Sequence, residues 1–321
     1  REPITGTPVR SLYGSDESSL FPKADDLKDL DILVVDLQDV GARYYTYIYT
    51  AAMAAKVAAQ VGVKVMILDR PNPIGGEVVE GRMTGGGYLS FVGYWPLPTR
   101  HGLTIGEVVS LLNEREGFGA EIEVVEMEGW RRSMYFDDTG IPWVQPSPNM
   151  PTLDTAIVYP GMCLIEGTEM SEGRGTTRPF ELVGADYVEP FALATELNAL
   201  ELPGISFRPV FYRPTFHKYG GLSIGGTALH VTDRNALDSL RMGLHYLGAV
   251  RRLFGDAMEW RADAYEFVKD RLAIDLLFGG TDARILLDEC ASADALDELW
   301  RSWQQEARAF EEARKPFLRY S

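Results

Sequence analysis

The apolar positions of this chain follow two rhythms. Residues 31–36, Asp-Ile-Leu-Val-Val-Asp, make an apolar run of strand length, and residues 63–68, Val-Lys-Val-Met-Ile-Leu, make a second. Short runs rich in β-branched side chains predict buried strands of a parallel sheet. Between them, residues 43–61 carry alanine at 51, 52, 54, 55, 58 and 59, which predicts a helix with Gly62 just past its end. Strand, helix and strand make a βαβ unit. Open α/β sheets bind ligands beyond the carboxyl ends of their strands. Asp36, Asp39, Asp69, Arg70 and Asn72 all fall at such ends.

Further on, Thr104-Ile-Gly-Glu107 reads as a capping box opening a helix to about residue 115. Residues 121–126 alternate charge with apolar side chains and predict an edge strand. Residues 130–151 hold Trp130, Tyr135, Phe136 and Trp143 among prolines, too long a stretch for a plain connector, and predict the crossing into a second domain. Beyond it the pattern predicts helices over 152–159, 188–200, 234–254, 282–289 and 291–310, the last rich in charge and packed on the outside. Strands are predicted over 205–212 and 227–232, with Gly220, Gly221, Gly225 and Gly226 between them. The class is α/β, with domains over 1–145 and 146–321.

One stretch follows neither rhythm. The run Glu166-Gly-Thr-Glu-Met-Ser-Glu-Gly-Arg-Gly-Thr-Thr-Arg-Pro-Phe-Glu181 carries four carboxylates, two arginines and four hydroxyls. With no periodicity it has no core face to bury, and it predicts a polar loop whose glycines permit close approach to a ligand. Its flanks, residues 160–165 and 179–180, are apolar, so the loop springs from a buried element.

Composition narrows the chemistry. The chain has 321 residues, 45% of them hydrophobic and 24% charged, and a formal net charge of −16. That balance argues against nucleic acid and an anionic membrane surface, both of which need clustered Lys and Arg. No apolar run reaches the roughly 20 residues of a membrane helix, and no signal-peptide pattern is visible. The chain begins at Arg1 rather than Met, as it would after removal of a leader or a longer N-terminal part. Cys163 and Cys290 form neither a disulfide framework nor a metal spacing. His101, His217, His230 and His245 are isolated from one another, with His101 in a Pro/Gly loop the best functional candidate among them. The first strand is not followed by Gly-x-Gly-x-x-Gly, and neither a P-loop nor a Gly-x-Ser-x-Gly elbow is present, which excludes the usual nucleotide and serine-hydrolase signatures.

Carboxylates remain: Glu166, Glu169, Glu172 and Glu181 in the polar run, and Asp36, Asp39, Asp69 and Glu80 after the first-domain strands. Glycoside hydrolysis needs two carboxyl groups flanking one bond, one protonated and one ionised. Tyr44, Tyr45, Tyr47, Trp130 and Trp143 offer flat faces for sugar rings, or alternatively pack helices. Chemistry alone therefore points to a carboxylate-rich cleft that binds or hydrolyses a polar ligand.

Six motifs extend this reading. Asp36-Leu-Gln-Asp-Val-Gly-Ala-Arg-Tyr-Tyr-Thr-Tyr47, Leu68-Asp-Arg-Pro-Asn-Pro-Ile-Gly-Gly76, Pro98-Thr-Arg-His-Gly-Leu-Thr-Ile-Gly-Glu107, Trp143-Val-Gln-Pro-Ser-Pro-Asn-Met-Pro-Thr152, Tyr159-Pro-Gly161 and the 166–180 run occur in that order. Together they resemble the NamZ-type exo-beta-N-acetylmuramidases over essentially the whole chain. The resemblance implies a Rossmann-like first domain, a smaller α/β second domain and a site between them. It implies removal of N-acetylmuramic acid from the non-reducing end of peptidoglycan fragments, no metal or cofactor, and an extracytoplasmic place of action. On the matched motifs it implies Glu166, Glu172, Asp36 and Asp39 as catalytic candidates. Arg174, Arg178, Asn149, His101, Tyr45, Arg70, Asn72 and Ser171 become substrate-binding candidates, with Arg174 or Arg178 pairing the lactyl carboxylate of the sugar. Two departures stand out. The family carries a further strand–helix–strand and a Pro-Glu-His-Gly motif ahead of the point where this chain starts, so its first domain is incomplete by comparison. The family also has Asn where this chain has Glu169, and no role is assigned to that residue. Absence of the motif opens a second reading of another class, a non-catalytic protein that binds cell-wall saccharides.

Overall fold

Parallel pairing of the two early apolar runs organises the first half of the molecule. The structure is a computed structural model and describes residues 1–14 and 16–321. A short helix α1 (Ala24–Leu27) precedes β1 (Ile32–Val35), which is joined through α2 (Tyr47–Gln60) to β2 (Lys64–Leu68); Val35 pairs with Ile67. After α3 (Ile105–Arg115), β3 (Ile122–Val125) adds on the other side of β2, giving the parallel order β1-β2-β3. Ile48, Met53 and Ala55 of α2 and Val108 and Leu111 of α3 are buried with Val65 and Ile67 of β2 in one apolar cluster. The capping box opens α3 as expected: Thr104 accepts from the Glu107 amide at 3.2 Å, and Glu107 accepts from the Thr104 amide at 3.0 Å.

Two expectations for this half need correction. The strand at 31–36 is not buried on both faces; it is a sheet edge, with Ile32 41% and Val34 52% exposed. An apolar run reports β-propensity, and cannot report how many layers cover it. The helix expected from residue 43 begins only at Tyr47, because Ala42 is bridged to Arg100 and the Arg43 amide donates to the Thr99 carbonyl at 2.9 Å. The Arg43 side chain is then fully buried. It donates to the carbonyls of Arg82 (2.8 Å) and Leu97 (3.1 Å) and, across to the second half, to that of Leu277 (2.5 Å).

The second half contains α4 (Leu153–Met162), β4 (Leu182–Ala185), α5 (Pro190–Ala199), β5 (Ile205–Tyr212), β6 (Ile224–Val231), α6 (Ser239–Phe254), α7 (Ala273–Phe278), α8 (Asp282–Asp288) and α9 (Ala293–Arg314). Its antiparallel sheet has the order β4-β6-β5. β4 carries no strand signal in the sequence, and Gly225 and Gly226, expected in a loop, lie inside β6. The two facts have one cause. The backbones of β4 and β6 approach so closely that a Cβ on Gly226 would lie 2.0 Å from the Val183 carbonyl oxygen. Glycine here serves contact, not turning.

Helix α9 is charged outside, as its composition suggests, but it is also a strap. Trp303 belongs to the second-half cluster, while Ala307 and Phe310 belong to that of the first half. Arg314 ends the helix buried, donating to the His101 carbonyl at 3.1 Å and the Glu77 carbonyl at 2.9 Å. Among the described residues no helix is long and apolar enough to cross a membrane.

Candidate active site

The polar run of 166–181 is not a solvated loop. Ser171 exchanges backbone hydrogen bonds with Gly184 of β4 at 2.8 and 3.1 Å, so the run extends the edge of the second sheet. Thr168, Met170, Ser171, Glu172 and Glu181 are buried in consequence, and only Glu169 and Thr177 of the run are exposed. Charges enter the interior because each finds partners. Glu181 accepts from Thr155 Oγ1 at 2.7 Å and from Arg178 Nε at 3.0 Å. Gly173 and Gly175, with φ of 79° and 80°, provide the left-handed turns that fold the run back on itself.

Glu172 is the centre of the arrangement. It is fully buried, with Arg174 Nε at 3.1 Å from Oε1, His217 Nδ1 at 3.2 Å from Oε1 and Lys218 Nζ at 3.2 Å from Oε2. Burial alone would raise its pKa; His217, Lys218 and Arg174 override that and hold it at about 2. All three contacts are close enough for charge compensation, yet none is aligned as a hydrogen bond, so both carboxylate oxygens keep acceptor capacity. His217 and Lys218 arrive on the long β5–β6 connection. That loop is clamped to the run where Gly175 accepts from the Thr215 amide at 2.9 Å, and it carries His217 at φ 67° and Tyr219 at φ 56°.

Arg174 bridges to the next carboxylate, donating through Nη2 to Glu166 Oε1 at 2.5 Å and stacking over the Phe180 ring. Tyr265 donates to Glu166 Oε2 at 2.8 Å. Burial, then the Glu166 charge, push the Tyr265 hydroxyl pKa far up, so it remains a donor. These groups enclose a cavity of 270 Å³ lined by Asn149, Glu166, Glu172, Arg174, Phe216, His217, Lys218, Arg261, Tyr265 and Glu266. The Arg261 guanidinium lies over the Tyr265 ring at 5.1 Å and has no ion pair among the described residues. The volume lies just below the roughly 300–1,000 Å³ of most small-molecule clefts. That leaves room for one sugar residue rather than a chain.

Of the residues proposed from sequence, Glu166, Glu172, Arg174 and Asn149 line this cavity. Ser171 shapes it from behind, its Oγ accepting from the Gly173 amide at 3.1 Å. Tyr45 sits one ring further back, edge-on to Tyr159 at 6.3 Å, and Tyr159 is edge-on to Phe180 at 4.8 Å. The others do not join it. Arg178 turns to Glu181. Asp36 pairs with Arg70 at 2.6 Å on the exposed sheet edge. Asn72 donates to the Leu103 carbonyl and accepts from the Ile74 amide, which forms its own loop. Asp39 and His101 are buried together, 3.4 Å apart. His101 Nδ1 accepts from the Leu103 amide, which puts the proton of neutral histidine on Nε2, facing Asp39.

Phe216, His217, Lys218, Arg261, Tyr265 and Glu266 were not singled out from sequence, although they complete the cavity. His217 was visible only as one more isolated histidine, in what read as a connector. Its partner Glu172 lies 45 positions away, and only the hairpin joins them.

Two family models cover the chain. The one described as "Exo-beta-N-acetylmuramidase NamZ, N-terminal" matches residues 1–154, and its C-terminal counterpart matches residues 157–320. The chain belongs to the NamZ exo-beta-N-acetylmuramidase family. Among NamZ relatives, the peptidoglycan beta-N-acetylmuramidase NamZ of Bacillus subtilis (strain 168) is 42% identical over 316 residues, 98% of this chain and 73% of that protein. Crystal structures of two DUF1343 family proteins from Bacteroides fragilis NCTC 9343 share the fold. One aligns with a TM-score of 0.87 and 32% identity, over 99% of this chain and 81% of its own. The other aligns with a TM-score of 0.72 and 28% identity, over 94% and 78%. The family read from the six ordered motifs is thus the one that the chain belongs to, and the α/β architecture is shared with these structures.

Proposed function

We propose that this chain is an exo-acting glycoside hydrolase that removes N-acetylmuramic acid from the non-reducing end of peptidoglycan fragments. The relative named as a peptidoglycan beta-N-acetylmuramidase aligns over nearly the whole chain. The observation that carries the reading in this molecule is a one-sugar cavity with Glu166 and Glu172 in its wall and Arg261 left without an ion pair. A muramic acid residue brings one carboxylate, and Arg261 is the cation free to receive it, since Arg174 is committed to Glu166 and Glu172. Glu172 accepts sugar hydroxyls and fixes Arg174, His217 and Lys218. Glu166, paired with Arg174 and oriented by Tyr265, acts at the anomeric carbon as nucleophile or as base for water. Phe216, 59% exposed at the cavity, offers its face to the ring.

We read the chain as two domains, 1–145 and 146–321, each centred on its own apolar cluster, with Val40, Ala42, Tyr44, Ile74, Val92 and Tyr135 of the first reaching into the second cluster and Ala307 and Phe310 of α9 returning to the first. The test is incubation of the chain with a chromogenic N-acetylmuramide. Release of the chromophore, reduced by Glu172→Gln, is expected. Measurable binding of the N-acetylmuramyl disaccharide with no release would instead make the molecule a saccharide-binding protein.

A further inference from the structure

Hydrolysis of a glycoside needs a carboxyl group that keeps its proton until the leaving oxygen takes it. Three carboxyl groups face the cavity, and two are unsuited. Glu172 is compensated by Arg174, His217 and Lys218 and stays ionised. Both oxygens of Glu166 are already engaged, Oε1 accepting from Arg174 and Oε2 from Tyr265. Glu266 is different. It is half-buried and makes no hydrogen bond or ion pair among the described residues.

Its backbone is unusual as well. Tyr265 and Val268 exchange backbone hydrogen bonds at 3.0 and 2.9 Å, which makes Glu266 and Phe267 the two central residues of a tight hairpin. Both are left-handed, at φ 46° and 70°. Such turns normally carry Asn-Gly or Asp-Gly. A Glu-Phe pair held there is strained, and strain of this kind persists where the surroundings over-determine it, often at functional sites. The turn does two things at once. Its first residue, Tyr265, is fastened to Glu166, and the next, Glu266, is delivered to the same cavity.

Resting on the muramidase reading above, we propose that Glu266 is the general acid that protonates the leaving sugar oxygen. The C1–O bond breaks with its electron pair on the leaving oxygen, which takes the Glu266 proton. Water supplies hydroxide to C1, and its remaining proton returns to the carboxylate or to solvent, so no co-reactant is needed. The surroundings agree: burial first, then the Glu166 charge, push the Glu266 pKa up, against opposition from Arg261 and Arg174.

The experiment compares the whole chain with Glu266→Gln on two substrates. One is the N-acetylmuramyl-N-acetylglucosamine disaccharide, whose sugar leaving group needs a proton. The other is 4-nitrophenyl N-acetylmuramide, whose leaving group does not. The expected result is a kcat loss of about 100-fold or more on the disaccharide and less than about tenfold on the aryl glycoside. The alkaline limb of the kcat/KM profile should also disappear with the aryl substrate. Glu266→Asp, which keeps the proton on a shorter arm, should show a smaller loss confined to the disaccharide, and serves should the glutamine variant fail to fold. Equal losses on both substrates, or undiminished disaccharide turnover, overturn the assignment while leaving the muramidase reading in place. A wild-type chain inert on both substrates overturns that reading, and the assignment with it.

Discussion

Glu172, fully buried, and Asp238, partly buried, are both carboxylates of the second half, and their surroundings drive them in opposite directions. Glu172 has the Arg174 and Lys218 cations and the His217 ring within 3.2 Å and is pushed down to about 2. Asp238, at the N-cap of α6, accepts from the Arg241 amide at 2.7 Å and from Trp300 Nε1 at 2.8 Å, but has no cation in contact. Burial, then the neighbouring charge of Glu80, raise it to about 7. Arg100 is spent on Glu80, at 2.6 Å. Desolvation raises both, so it is the presence or absence of cations in contact that decides the sign. The two sites also differ in position. Glu172 faces the one-sugar cavity of the second half, whereas Asp238 and Glu80 face a 370 Å³ cavity between the halves. There Glu80, from the first half, accepts from the Leu240 amide and so helps cap a helix of the second.

The signs yield opposite pH behaviour. Glu172, depressed in the fold, contributes stability that is present above its ordinary value of 4.5 and lost as pH falls through about 2. Asp238, raised in the fold, contributes stability that is complete below its ordinary value of 3.8 and lost as pH rises through about 7.

The hardest way to break the contrast is to remove the Glu172 charge. Glu172→Gln leaves Arg174, His217 and Lys218 converging on a neutral amide. It should cost roughly 100-fold or more in kcat and about 3–5 kcal/mol of stability. Turnover assays and urea melts read both, and a variant as stable and active as wild type would show that the cations need no counter-charge. Next in size, Arg100→Leu removes the only ion-pair partner of buried Glu80 among the described residues. A loss of about 3–5 kcal/mol is expected, with kcat on the aryl muramide little changed, because neither residue faces the sugar cavity. Asp238→Asn is subtler. It should flatten the fall in wild-type stability between about pH 4 and pH 7, where the slope reaches at most about 1.4 kcal/mol per pH unit. Urea midpoints at pH 5 and pH 8 decide it: an unchanged difference between them would mean that Asp238 is not the titrating group. Smallest of all, Arg70→Ala opens the exposed pair with Asp36 and should cost less than about 1 kcal/mol. A larger loss, or a fall in kcat, would restore the strand-end pair to the site.

How far the sequence reaches can be judged from particular elements. Local signals were reliable where local physics decides. The β-branched runs became β1 and β2, the alanine-rich stretch became most of α2, and Thr104 with Glu107 capped α3. The ordered motifs placed the chain in its family. Glu166, Glu172, Arg174 and Asn149, which lie in those motifs, meet at one cavity.

Sequence by itself thus determined the βαβ start, the α/β class, the family and four residues that line one cavity, since each depends on side chains close together along the chain. Tertiary structure alone decided the rest. It left one face of β1 open, made a strand of Leu182–Ala185 through a glycine-lined contact, and buried a polar run that no periodicity marked. It brought His217 and Lys218 to Glu172 on the β5–β6 connection, and Tyr265 and Glu266 to Glu166 on a strained turn. The reason is physical: whether a carboxylate keeps its charge or its proton is set by neighbours within a few ångströms, and those neighbours come from segments distant in the chain.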